Sequence, residues 1–303
     1  MAVFNTLRYL PDAVRSISSQ GFTDFELLVI DDGSNDGSSE WLRSYLALEP
    51  RMKLVSRENR GLVPTRNELL HAARGELVAW MDSDDVAAPG RLAAQVQRFD
   101  SDPELVCLGC AVQVVDPDGN RLSIDRFPLS HAEIIVEQQN GGAIKFPTTM
   151  MRRDVALAVG GFRGSFKIGE DFDLLLRMSE VGKMANLADT LYSYRQHLAS
   201  ACATLALSWP AYRDEILSLA RERREFGSDR LDAGGTLSID VPRSPPTRRL
   251  ISVAYASWAR QALQNGNRRL AWKYARAAVI AWPLARLGWR TALTVALSSA
   301  PAG

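Results

Sequence analysis

Leu77-Val78-Ala79-Trp80-Met81 runs directly into Asp82-Ser83-Asp84-Asp85. The same figure occurs earlier in the chain, where Leu27-Leu28-Val29-Ile30 ends in Asp31-Asp32-Gly33-Ser34. Short apolar runs closed by turn residues, with helical patterns between them, predict buried parallel strands of βαβ units. Ligands of open α/β sheets sit beyond the carboxyl ends of such strands, so both acidic clusters are expected to face one crevice. Carboxylates gathered there suit a hard divalent cation, and such a cation usually also holds substrate phosphates. A nucleotide diphosphate is the expected ligand.

Working outward, residues 8–20 read as a helix with Pro11 in its first turn, where proline is tolerated. Strands are expected at 25–31, 52–56 and 76–81, and helices at 38–48, from Pro64 to 74, and from Pro89 to 99. This alternation argues for a doubly wound α/β sheet. After Leu105 the pattern changes. Val112–Val115 and residues 121–124, joined by Asp116-Pro117-Asp118-Gly119, read as a hairpin. Ser130-His131-Ala132-Glu133 is a capping box opening a short helix. A strong helix follows at 168–181, a strand at 183–195 and a helix at 205–226. Residues 227–246 are polar and rich in Gly, Pro and Ser, which reads as a linker or mobile loop. Two or three alanine-rich helices reach to about Ser298.

The 303 residues carry a net charge of +1, which gives no overall bias toward nucleic acid. The balance hides a split: residues 241–303 hold ten basic residues and no acid, so residues 1–240 are at −9. Four of the seven tryptophans (Trp258, Trp272, Trp282, Trp289) also lie in that tail. Trp, Arg and Ala on helices suggest a face resting on an anionic bilayer; the alternative is a helical cap with solvated arginines. Cys107 and Cys110 match no zinc pattern and are expected as small core residues; the low, odd cysteine count suits a reducing cytoplasm. No stretch reaches the ~18 apolar residues of a membrane span, and the N-terminus lacks a signal-peptide pattern.

Each acidic motif has a bland alternative. Asp31-Asp32-Gly33-Ser34 could be only a tight turn, and it is no EF-hand, because the twelfth position from Asp32 is Arg43. Asp82-Ser83-Asp84-Asp85 could cap a helix, but one carboxylate serves for that, and three in four residues repel unless a cation binds. Glu170-Asp171-Phe172-Asp173 could merely favour a helix dipole; a carboxylate held there could equally be a general base. His197 follows a strand and could reach the cation, or be a lone surface histidine. No Walker loop, Gly-x-Gly-x-x-Gly after a strand, Gly-x-Ser-x-Gly or His-Glu-x-x-His occurs, which argues against an ATPase, a dehydrogenase, a serine hydrolase and a zinc protease.

Taken in order, the pieces resemble the family 2 inverting glycosyltransferases of GT-A fold. They are Ala2-Val3-Phe4-Asn5 with Arg8-Tyr9-Leu10, Asp31-Asp32-Gly33-Ser34, Asn59-Arg60-Gly61-Leu62 with Arg66-Asn67, and Asp82-Ser83-Asp84. Then come Met151-Arg152-Arg153, Gly160-Gly161-Phe162, Glu170-Asp171-Phe172-Asp173-Leu174 and Tyr194-Arg195-x-His197-x-x-Ser200. The resemblance covers Ala2 to about Ser200 and implies a GT-A fold, Rossmann-like, with a mostly parallel sheet and helices on both faces, for a nucleotide-sugar transferase domain (1–200). Beyond it, the residue patterns predict a connecting helix (201–226), a linker or mobile loop (227–247) and a small, basic C-terminal α-helical region (248–303). The resemblance implies that Phe4 and Asn5 border the nucleobase and that Asp31, Asp32, Arg66, Asp82 and Ser83 contact the nucleotide. Asp84 would hold Mg²⁺ or Mn²⁺ on the diphosphate, with Asp82 and His197 completing the shell. Asp171 would be the catalytic base that deprotonates the acceptor hydroxyl.

The implied enzyme is a hexosyltransferase type that moves sugar from a nucleotide diphosphate donor to a glycan or lipid-linked acceptor in cell-surface polysaccharide synthesis. It would be cytoplasmic, with peripheral attachment to the inner membrane face through 248–303 as an added expectation. Family members carry an apolar strand of about five residues before the segment that begins here at Ala2. The expectation is therefore a middle strand almost missing, with either the true start upstream or another element in its place. The alternatives are a non-catalytic nucleotide-sugar-binding or scaffold protein and a nucleotidyltransferase. The latter lacks a glycine-rich, basic phosphate loop after the first strand.

Overall fold

The first acidic-ended run forms strand β2 (Leu27–Asp31), which pairs in parallel with β1 (Ala2–Val3) and β3 (Met52–Ser56). This is a computed structural model; it describes residues 1–200, 208–237, 239 and 248–298. Ala2 lies opposite Ile30, and Leu27 opposite Met52. Helices α1 (Leu10–Ser18), α2 (Ser38–Tyr45) and α3 (Leu62–Ala72) make the connections. α1 buries Leu10, Ala13, Val14 and Ile17, the stripe its helical spacing predicts, with Pro11 in the first turn.

The second acidic-ended run supplies β4 (Leu77–Ala79), which belongs to a separate sheet with β5 (Val86–Ala87), β6 (Leu105–Val115), β7 (Arg121–Asp125), β8 (Met150–Arg152) and β9 (Lys183–Arg195). Its order is β4-β8-β6-β9-β5, with β7 on β6; the β4–β8, β6–β8 and β5–β9 pairs are antiparallel. The α/β class with a GT-A arrangement holds. Parallel pairing joins β1, β2 and β3, and the neighbours β6 and β9 run in one direction as well, with Lys183 N–H donating to the Glu104 carbonyl at 3.0 Å at one end and Gln196 N–H to the Val115 carbonyl at 2.9 Å at the other. At the β1–β2 seam Ile30 N–H donates to the Met1 carbonyl at 3.0 Å and Asp32 N–H to the Val3 carbonyl at 2.8 Å. The described residues show no pairing of β1 with β4, whose neighbour is the returning strand β8.

The helices that follow are α4 (Arg91–Asp100), α5 (His131–Glu137), α6 (Arg153–Ala158), α7 (Glu170–Ser179) and α8 (Trp209–Phe226). α5 opens on the expected Ser130–Glu133 capping box. Helix starts expected at Pro64 and Pro89 fall instead after Gly61 and Gly90, both at positive φ. Part of the helix expected at 205–226 falls on residues 201–207, outside the described ones. Cys107 and Cys110 are buried free thiols of β6, and burial pushes both thiols up, as small core residues should be.

Two compact units result: one of Met1–Val112, Arg126–Ser193 and Pro210–Ile239, the other of Gln113–Asp125, Tyr194–Trp209 and Asp240–Gly303. In the first, residues expected to be linker are held down. Buried Asp229 accepts from Arg163 at 2.7 Å and Arg223 at 2.5 Å, and Asp232 accepts from Arg163 at 2.8 Å. In the second, α9 (Arg248–Gln264), α10 (Arg268–Ala281) and α11 (Arg286–Leu297) pack through small residues such as Ala256, Ala259, Ala271, Ala275 and Ala278. The β6–β7 turn joins them: Asp116 accepts from the Tyr274 hydroxyl at 2.7 Å, and Asp118 pairs with Lys273 at 2.9 Å. No described helix is long and apolar enough to cross a membrane.

Candidate active site

The strand ends deliver both acidic clusters, and the two are used differently. Asp31 is buried; its carboxylate accepts from Ser34 N–H at 3.1 Å and from the Ser39 hydroxyl, so it closes the turn and seats α2. Asp32 faces the loop after β3. Its Oδ1 takes the Arg57 guanidinium and Arg60 N–H, and its Oδ2 takes Gly61 N–H at 2.9 Å. A carboxylate offers about four acceptor sites, so one remains on Oδ2. Phe4, half exposed at 50%, stands on the neighbouring rim. Asn5, with φ 53°, follows it and ties this rim to the Gly33 turn: Asn5 N–H donates to the Ser34 hydroxyl at 2.9 Å, and Asn35 N–H to Asn5 Oδ1 at 2.8 Å.

At the end of β4, one ligand oxygen each of Asp82, Asp84 and Asp85 lies within 4.8 Å of the others. An all-oxygen set of this kind fits Mg²⁺ or Mn²⁺. Asp82 and Asp84 are half-buried and Asp85 is buried. Ser83, also buried, accepts from the Thr6 hydroxyl at 3.0 Å and so links this loop to the Phe4–Asn5 rim. The Asp82 side chain is 37% open, yet burial pushes its carboxyl above the ordinary range. Arg66 and Lys145 oppose that rise, and the charges of Asp84 and Asp171 add to it. A cation is the natural relief for carboxylates crowded in this way.

Asp171 reaches the same place from α7. Gly169 at φ 86° turns the chain into the helix, and Glu170 and Asp171 are its first two residues. Arg66 spans the gap. It donates to Glu170 at 2.6 Å, lies 3.5 Å from Asp82, and its guanidinium stands 4.6 Å from the Phe146 ring centre and 5.6 Å from that of Phe162. Burial and the Asp171 charge together push Glu170 up to about 7, although Arg66 pulls the other way. Arg66 is shared with Asp82, 3.5 Å away.

Of the residues expected to form the site, the structure brings Asp82, Ser83, Asp84, Asp171 and Arg66 together, and sets Phe4, Asn5 and Asp32 on the rim beside the β1 and β2 ends. Asp31 serves the turn. His197 lies in the second unit, in a turn after β9 whose carbonyl accepts from Ser200 N–H at 3.2 Å. Sequence reasoning missed Glu170 as the partner of Arg66, Lys145 beside Asp82, Arg57 on Asp32, and Arg91. Arg91 is wholly buried, bonding the Trp80 carbonyl at 2.9 Å, and so anchors the strand end that carries the acids. A cation in the first turn of a helix runs against the dipole, and that signal could have marked Arg91.

Residues 1–160, more than half of the chain, match the profile of glycosyl transferase family 2. The chain belongs to that family. Among its relatives, the O-antigen biosynthesis glycosyltransferase WbnJ of Escherichia coli is 31% identical over 202 residues, covering 65% of this chain and 78% of that protein. The putative glycosyltransferase EpsE of Bacillus subtilis is 30% identical over 201 residues, 65% of this chain and 71% of that one. Chondroitin synthase of E. coli is 27% identical over 195 residues, 64% of this chain, but the match spans only 28% of its length. The family fold extends to solved structures. S. aureus TarS 1-349, crystallised with UDP-GlcNAc, superposes with a TM-score of 0.57 at 17% identity over 97% of this chain and 88% of that one. The mannosyltransferase PcManGT of Pyrobaculum calidifontis, solved with GDP-Man and Mn²⁺, gives 0.53 at 17% identity over 98% and 78%.

Proposed function

We propose that this family 2 glycosyltransferase moves a sugar from a nucleotide diphosphate donor to a hydroxyl of a glycan or lipid-linked acceptor, inverting the anomeric carbon, in cell-surface polysaccharide synthesis. One observation carries the reading: Arg66 lies 2.6 Å from Glu170, the residue beside Asp171 at the start of α7, and 3.5 Å from Asp82, so the helix start bearing the proposed base and the strand end bearing the proposed cation ligands face one another. The names of WbnJ and chondroitin synthase support the polymer context, and TarS and PcManGT support a nucleotide-sugar donor.

Phe4 offers its exposed ring to the nucleobase, Asn5 shapes that rim, and Asp32 uses its remaining Oδ2 site to accept a base N–H. Asp82, Asp84 and Asp85 would hold Mg²⁺ or Mn²⁺. When bound, the cation neutralises charge on the departing diphosphate. Arg66 and Lys145 add positive charge beside Asp82. Asp171 takes the proton of the acceptor hydroxyl as that oxygen attacks the anomeric carbon and the bond to the diphosphate oxygen breaks. One displacement inverts the centre and calls for no enzymatic nucleophile. Free Cys107 and Cys110 suit a reducing, cytoplasmic setting.

The test is donor hydrolysis and binding across UDP-, GDP- and dTDP-sugars, with and without Mn²⁺. Asp84→Ala should lose cation-dependent binding. Asp171→Asn should keep binding but lose turnover by roughly 10²–10⁴-fold, the usual contribution of a general base. Product anomers read by NMR report inversion. Full turnover in Asp171→Asn, or donor binding indifferent to Asp84, would sink this assignment.

A further inference from the structure

We infer that the outward face of α11, together with the turn before it, is a contact surface for an anionic lipid bilayer. The opposite face of α11 is already committed: Gly288, Thr291 and Val295 are buried. A Cβ at Gly288 would stand 3.3 Å from the Ala278 carbonyl and the Val279 nitrogen, so glycine permits this close seat on α10. That seat decides what points away. Trp289, Leu293 and Leu297, four residues apart, form one stripe and are 58, 59 and 75% exposed. Ile280 and Leu284, 74 and 87% exposed, continue the apolar surface through the turn. The indole N–H of Trp289 donates to the Pro283 carbonyl at 2.8 Å, which holds the ring at the edge of the stripe.

The charge pattern names the occupant. Arg286 and Arg290 are exposed beside the stripe, and residues 241–303 hold ten basic residues and no acid. An apolar stripe flanked by cations, in a tail without acids, matches a surface that is apolar in depth and negative at its rim. An anionic bilayer has that arrangement: leucines enter the acyl boundary, Trp sits at the headgroup level and arginines meet the phosphates. α11 has 12 residues, about 18 Å of helix at 1.5 Å per residue, too short for a hydrocarbon core of ~30 Å. It therefore lies in the plane of the interface.

The experiment is flotation of the full chain with vesicles of phosphatidylcholine alone or 3:1 phosphatidylcholine to phosphatidylglycerol, at low and high salt. Binding is expected with the mixed vesicles only, weakening as salt rises. The double variant Arg286→Gln/Arg290→Gln should bind roughly twenty-five-fold more weakly, since each basic residue at an anionic surface contributes about fivefold. Leu293→Ser/Leu297→Ser should lose at least roughly tenfold through the lost apolar burial. Both pairs are exposed, so thermal unfolding should stay unchanged and confirm intact folds. Absence of flotation with mixed vesicles overturns the inference, as does equal flotation by the variants. A self-association that light scattering finds in the wild type and the leucine variant abolishes also overturns it, because the face then belongs to a second copy.

Discussion

At the residue scale, the site depends on side chains that hold other side chains. Asn67 clasps Phe162 from both sides: its Nδ2 donates to the Phe162 carbonyl at 2.8 Å, and its Oδ1 accepts Phe162 N–H at 2.9 Å. The clasp requires glycine before it. Gly161 sits at φ 61°, and a Cβ there would stand 2.7 Å from Asn67 Oδ1. The held Phe162 ring meets Trp80 edge-on at 5.2 Å and faces Arg66. Gly161→Ala should therefore cost about 1–3 kcal/mol and weaken donor binding as Arg66 loses its bed. Thermal unfolding and a donor titration check both; an unchanged affinity would show that Arg66 is held without the clasp. Glu170 gives a pH signature. Its folded value, about 7, lies above the ordinary 4.5, so the folded protein binds that proton more tightly than the unfolded chain. The associated stability is complete below about 4.5 and is lost as pH rises through about 7. Unfolding temperatures measured from pH 5 to 8 should fall in the wild type and fall less in Glu170→Gln. Equal slopes would refute a titrating Glu170.

At the scale of elements, composition is silent about ion pairs that tie a loop down. Residues 227–246 read as a linker or mobile loop from their Gly, Pro and Ser, and in the described part, 227–237, which holds no helix or strand, Asp229 is buried between Arg163 of the 160–169 loop and Arg223 of α8. No local pattern announces this, because the three partners come from separate segments. Burial raises the Asp229 carboxyl, but the hydrogen bonds from Arg163 and Arg223 outweigh it and hold it below the ordinary 3.8. Its stabilising effect is thus complete above 3.8 and disappears as pH falls through the lower folded value. Asp229→Ala leaves two arginines facing each other without their anion and should destabilise the first unit by about 3 kcal/mol. Chemical denaturation tests this, and a loss near zero would mean the segment is only loosely seated. Where the signals are local, elements matched closely. The strand expected at 183–195 is β9, the turn at Asp116 joins β6 to β7, and the capping box at Ser130 opens α5.

At the scale of the whole molecule, cation binding should register as stability. A ligand bound only by the folded state at a hundred times its Kd adds about 2.7 kcal/mol. That corresponds to a rise of roughly 5–10 °C for a unit of this size. Scanning calorimetry with Mn²⁺ and nucleoside diphosphate should show the rise in the wild type and not in Asp84→Ala; the same rise in both would place the cation elsewhere. By itself the sequence determined the α/β class, the two acidic strand ends and the ordered motifs of the family, with Asp82, Asp84, Asp171 and Arg66 among them. These are legible because apolar period and turn chemistry act within a few residues. Only the tertiary structure decided that Arg66 meets Glu170 across 104 positions and that Asp31 serves its turn while Asp32 faces the loop from Arg57 to Gly61. It alone also decided that β4 pairs with β8 while β1 stays on β2. Such pairings are set by which segments the closed fold brings together and by how much charge it buries there. Neither quantity is carried by any short stretch of chain.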